Sequence, residues 1–260
     1  MARIYVRTAT LGLALAVAAC SDGYGSNPNP VNPDLLPTTV FASGSIAAKV
    51  DEFRTLLGEP SNGGTAGEQA AGRREITWDG AGANPFNNRN DFPANFFNTN
   101  VKSGAVFTTP GIGFRNDSLK FAEVNAEYEN EFSAFTPTKI FAPVGSNVMD
   151  VLFQVAGQPT PARVTGFGAV FSDIDVAGAT KIEFFDANGA RLATIVAPAR
   201  TDAAGLSFAG ARFTQAIVAR VRITLGNGSL GAAVRDISGG GTADLVVADN
   251  FIYGEPKRIQ

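Results

Sequence analysis

From residue 72 onward the chain carries no helical period; its apolar residues alternate with polar ones in short runs broken by Gly, Pro and Asn. A period of two places successive side chains on opposite faces, which is the pattern of a strand with one face in a core. The run Ile217–Leu225 is the plainest: Ile217, Ala219, Val221, Ile223 and Leu225 fall on one face, and Arg220, Arg222 and Thr224 on the other. Further runs are Glu75–Trp78, Ala105–Thr108, Val148–Val155, Arg163–Phe171, Lys181–Phe185, Arg191–Val196 and Leu245–Tyr253. Strands at this spacing, with turn residues between them, predict an all-β fold, an antiparallel β-sandwich of the jelly-roll kind. Phe and Val supply its core. Gly166 and Gly168 mark places where a side chain would be crowded.

One segment breaks the pattern. Ile46, Val50, Phe53 and Leu57 recur at helical spacing, Ser45 is placed to cap them, and Gly58 and Pro60 end them. This predicts one N-terminal amphipathic helix covering an end of the domain. Residues 80–100, rich in Asn and Phe, read as a long ordered loop. Gly111–Gly113 and Gly239–Gly241 read as hairpin connections, and Asp186–Gly189 as a hairpin turn.

The start of the chain is of another kind. Arg3 and Arg7 precede an uncharged apolar stretch, Thr8–Ala19, too short to span a bilayer as a helix. It ends in Val17-Ala18-Ala19-Cys20, which resembles the lipobox of bacterial lipoproteins. The resemblance implies a signal peptide over 1–19, cleavage before Cys20 and lipidation of that cysteine. Ser21, in place of an acidic residue, resembles the outer-membrane sorting pattern. A lipid-anchored place in the bacterial cell envelope follows as an expectation. Residues 20–40 hold Asn27-Pro28-Asn29-Pro30-Val31-Asn32-Pro33 and read as an extended tether, able to lift a domain by up to about 60 Å. A single sandwich domain is expected over 41–260.

The composition narrows the chemistry. The 260 residues include no histidine and one cysteine. Ser-His-Asp triads, imidazole metal ligands and internal disulfides are therefore excluded. The net charge of −3, with no basic cluster beyond Arg73-Arg74, argues against nucleic acid as a partner.

Four segments carry a second resemblance: 72–80 (GRREITWDG), 140–147 (IFAPVGSN), 166–171 (GFGAVF) and 249–255 (DNFIYGE). Together they resemble a group of uncharacterised secreted bacterial β-sandwich proteins, some of which carry PEP-CTERM tails. This chain ends without such a tail. The strand pattern is also similar to jelly-roll modules of the carbohydrate-binding and lectin-like kind, which implies a fold and no activity.

Candidate site residues follow from residue type. Asp173 and Asp175 flank Ile174 at a strand end, so their carboxylates project to one side and can share a structural calcium, with Asp249 adding oxygens if its strand lies alongside. Trp78, Tyr128 and Tyr253 are the aromatic faces available to a glycan groove. Trp78 reads equally as a core residue with Arg73, Arg74, Glu75 and Asp79 pairing at a sheet edge, and the Phe-rich composition favours that second reading. The acidic run Glu123, Glu127, Glu129 and Glu131 reads as a solvated loop face. Three functions compete: a non-catalytic binding or adhesion module for glycans, a structural envelope protein binding other proteins, and a carboxylate-dependent hydrolase. The first is preferred.

Overall fold

A computed structural model describes residues 36–79, 85–202 and 204–259. The predicted leader, Cys20 and most of the tether lie outside them. In chain order the described elements begin with β1 (Thr38–Ser43), α1 (Ala47–Leu57), β2 (Arg73–Ile76), α2 (Phe96–Thr99), β3 (Ala105–Thr108) and β4 (Gly113–Asp117). Then come α3 (Tyr128–Glu131), β5 (Ile140–Val144), β6 (Val148–Phe153), β7 (Ala162–Arg163), β8 (Gly166–Ser172) and β9 (Lys181–Phe185). The last are β10 (Arg191–Val196), β11 (Leu206–Arg212), β12 (Arg220–Thr224), β13 (Val247–Gly254) and β14 (Lys257–Arg258).

The strands form the expected sandwich. One sheet runs β1-β11-β8-β13-β5-β4, with β2 joining along the second half of β13; the other runs β10-β9-β12-β6-β3, and β14 pairs with β7. The paired strands named here are antiparallel. Alternation explains the core between the sheets. Phe167, Ala169 and Phe171 of β8 and Phe251 and Tyr253 of β13 meet Met149, Val151 and Phe153 of β6 and Val221 and Ile223 of β12. Phe92, Phe96 and Phe97, from the Asn- and Phe-rich loop, join this core.

The first sheet is covered on its other face as well, so β8, β11 and β13 show no polar face. Helix α1 lies there, with Val50, Phe53 and Leu57 packed on Val40, Val170, Phe208 and Ile252. It covers a sheet face rather than an end of the domain. Its N-cap is Ile46 with no side-chain cap bond, so Ser45 does not serve as expected. Phe53 reaches the sheet because Gly168 and Gly210 are paired partners in β8 and β11. A Cβ on either would lie 2.7–2.8 Å from the Phe53 ring. The glycines make the depression that the ring fills.

Several elements differ from the sequence reading; β2, read over Glu75–Trp78, spans Arg73–Ile76. β1 begins at Thr38, inside the expected tether, and pairs along its length with β11. Gly111–Gly113 leads from β3 in one sheet to β4 in the other, and Gly239–Gly241 lies in the long loop from β12 to β13, so neither is a hairpin. The Asp186–Gly189 turn does close the β9–β10 hairpin; Asp186 Oδ1 accepts from Asn188 N and Ala190 N, and Gly189 has φ 82°.

Candidate metal centre and binding groove

Strands β8 and β13 are neighbours, with Ser172 opposite Val247. The turn leaving β8 and the loop entering β13 therefore meet at one end of the first sheet. The first brings Asp173 and Asp175, the second Asp236 and Asp244. Helix α3 adds Glu131, held there because Ser133 N donates to Ser172 Oγ at 2.8 Å. The β12–β13 loop is tied to α3 by Tyr128, whose hydroxyl donates to Val234 O at 2.8 Å and accepts from Gly231 N.

Five carboxylates thus converge. Glu131, Asp173 and Asp236 offer oxygens within 4.8 Å of one another, and so do Asp175, Asp236 and Asp244. All but Asp175 are buried. Backbone and hydroxyl donors hold most of them: Asp236 accepts from Ser238 N and Leu245 N, both at 2.7 Å. Asp244 accepts from Asp175 N at 3.0 Å and Val176 N at 3.3 Å. Glu131 Oε2 accepts from Ser238 Oγ at 2.5 Å. Asp173 Oδ1 accepts from Ala204 N at 3.2 Å. Asp173 Oδ2 and Asp175 Oδ1 are buried without a partner. Among the described residues, no Lys or Arg forms an ion pair with any of the five.

Loss of solvent, followed by the charges of Asp236, Asp175 and Glu131, pushes Asp173 up to about 8. Desolvation and then Asp236 push Asp175 up to about 6. Asp244 is raised as well, chiefly by burial. Burial and the neighbouring carboxylates thus favour the protonated forms of Asp173, Asp175 and Asp244.

Asp173 and Asp175 fall in separate sets of three joined through Asp236, and Asp249 lies elsewhere. A bulge between Ala248 and Phe251 disturbs β13 at Asp249. The Asp249 carboxylate accepts from Phe135 N at 2.5 Å and Thr136 N at 3.2 Å. Glu131 corrects the reading of the acidic run: it faces inward, while Glu127 pairs with Arg235 and Glu123 with Arg115.

The proposed aromatic platforms are buried. Trp78, Tyr128 and Tyr253 are each 0% exposed. Trp78 stacks on Phe141 with ring centroids 3.8 Å apart, and its indole N–H donates to Asp249 O at 2.9 Å. The Tyr253 hydroxyl donates to Ser103 O at 3.0 Å. Each polar tip has an internal partner, so none offers a face to a sugar.

The open surface lies elsewhere. A groove of about 540 Å³ flanks β3 and β6, lined by Asn95, Asn98, Lys102, Gln154, Gln158 and Pro159 among others. Its floor is set by buried Asn98, which donates to Gln154 Oε1 at 2.6 Å and Gln158 O at 2.9 Å and accepts from Gly157 N at 2.7 Å. Asn95 and Gln158 are exposed. A second groove of about 300 Å³, containing Leu152, Pro161, Asp186 and Arg220, also includes Gln154, so the two adjoin.

No protein-family model matches this chain, and no curated protein does. Among solved structures it is similar to TmCBM61, a carbohydrate-binding module in complex with beta-1,4-galactotriose. That match has 11% identity and a TM-score of 0.29, and it covers 64% of this chain and 94% of that one. It is also similar to the enzymatically active domain of tailspike protein 4 of bacteriophage CBA120. There the identity is 10% and the TM-score 0.24, over 64% of this chain and 20% of that one. Neither likeness is close enough to carry a residue or an activity across.

Proposed function

We propose that this chain is a lipid-anchored envelope protein whose sandwich is a non-catalytic module binding glycan chains in the groove beside β3 and β6. The observation that carries the reading is the groove's lining. A sugar hydroxyl both donates and accepts, and a side-chain amide does the same from one plane. Asn95, Gln154 and Gln158 present such amides to a groove of about 540 Å³, within the range of small-ligand sites. Its continuation past Gln154 into the second groove suits a chain of sugars rather than a single one.

The hydrolase reading requires two carboxyl groups about 5–9.5 Å apart facing a cleft. The clustered carboxylates with raised pKa values lie at the end of the first sheet, and none of them lines either groove. The anchor rests on Val17-Ala18-Ala19-Cys20 and the proline-rich stretch after it. Stable anchoring takes more than one acyl chain, which a lipidated Cys20 would supply. A glycan-array screen of the full chain tests the binding reading. Retention of defined oligosaccharides is expected, and an array with no retained sugar would remove it.

A further inference from the structure

We propose that Glu131, Asp173, Asp175, Asp236 and Asp244 form a calcium site that fastens the β12–β13 loop to the end of the first sheet. The geometry gives two overlapping sets of three carboxylates that share Asp236. Calcium–oxygen distances are about 2.3–2.6 Å, so two oxygens on one ion lie no more than about 5 Å apart. Both sets of three meet that limit, at 4.8 Å, and Asp236 belongs to both.

Acidic clusters on a surface need no ion, because water screens them. This one is buried, and Asp173 makes the difference. Its side chain is fully buried, and Oδ2 has no hydrogen-bond partner although the carboxylate groups with those of Glu131 and Asp236. A buried carboxylate oxygen left unpaired costs free energy that pairing or metal coordination recovers. No cationic side chain of the described residues supplies the pairing. A cation held by Glu131, Asp173 and Asp236 does so, and the shared Asp236 places Asp175 and Asp244 next to it.

The donor set selects the cation. All five ligands are hard carboxylate oxygens, which suit calcium; zinc favours nitrogen and sulfur. Magnesium keeps several waters and seldom uses an all-protein cage. The ion would link α3, the end of β8 and both ends of the loop segment 236–244. That loop has few elements of its own, and its Gly239–Gly241 run resists ordering without an outside constraint.

The test uses the full chain, stripped with EDTA and titrated with calcium chloride by calorimetry and thermal melting. Saturable heat is expected, with a midpoint rise of about 5–10 °C when calcium exceeds its dissociation constant a hundredfold. Proteolysis within residues 226–243 should slow at the same time. Asp236→Asn should lose at least nine-tenths of the calcium-dependent rise, whatever its melting point in EDTA, where it gives up one backbone hydrogen bond along with one repelling charge. If that variant does not fold, Asp173→Asn makes the same test. Absence of heat and identical melting in EDTA and millimolar calcium would overturn the site. So would a rise produced by magnesium alone, or a variant that keeps the full calcium response.

Discussion

Arg74 and Glu255 form a two-pronged ion pair inside the protein: Nε donates to Oε2 and Nη2 to Oε1, each at 2.8 Å, with both side chains buried. The remaining guanidinium donors reach the carbonyls of Gly63, Thr65, Gly67 and Lys102. One arginine on β2 therefore pins the loop before it and the chain end after β13. Removing one partner from such a pair leaves a buried charge and costs about 3–5 kcal/mol. Glu255→Gln is expected to lower stability by that order in urea melts, with little dependence on salt. A loss under about 1 kcal/mol would contradict the pairing, since that is the worth of an exposed bridge.

Phe53 and the glycines beneath it make a second prediction. Phe53→Ala should cost about 3–5 kcal/mol. Gly168→Ala should cost about 1–3 kcal/mol, because its Cβ would sit 2.7 Å from the Phe53 ring and 2.9 Å from that of Phe208. The two changes should not fully add: with the Phe53 ring removed, its close contact is gone and only those with Phe208 and Gly210 remain. Strict additivity in the double variant would show that the helix does not seat through this contact.

Asp249 predicts a pH dependence. Burial pushes its carboxyl up to about 7, against the opposing hydrogen bonds from Phe135 and Thr136. The unfolded chain releases this proton near pH 4. Between about 4 and 7 the folded state thus holds a proton that the unfolded state lacks, and this group's contribution to stability falls as pH rises. Asp249→Asn should gain on the parent as pH rises through that window, in melts at constant calcium. A difference between parent and variant that stays flat with pH would contradict the shift.

The proposed lipid anchor predicts a location. Cys20→Ser should move the protein from the membrane fraction to the soluble one. Unchanged membrane association would place the attachment elsewhere in the chain.

Period-two alternation made β3 and β9 legible to the residue, because buried residues alternate in each with partly exposed ones. β11 was not legible: it is covered by Phe53 on one side and the second sheet on the other, so it has no polar face. β4 hides for the opposite reason, since it buries Arg115, Asn116 and Asp117. The carboxylate site was half legible. Asp173 and Asp175 stand two apart at a strand end, a local signal. Asp236 and Asp244 reach them only through the pairing of β8 with β13, a long-range contact with no local trace. Their spacing around Gly239–Gly241 was the available hint. Tyr128 and Tyr253 are ambiguous in sequence because an aromatic with a polar tip suits a sugar site and a buried one equally, whereas for Trp78 the Phe-rich composition points to the core, where it lies. The deciding fact, an internal carbonyl for each tip, is tertiary.

Glycan binding in the groove beside β3 and β6 is the central proposal. Calorimetric titration of the full chain with an oligosaccharide retained on the array, beside Gln158→Ala, tests it most directly. Loss of one side-chain hydrogen bond to the sugar is expected to weaken binding about tenfold, at about 1.4 kcal/mol per decade, with an unchanged melting temperature. Equal affinity for parent and variant would place the sugar elsewhere and contradict the groove as the binding site.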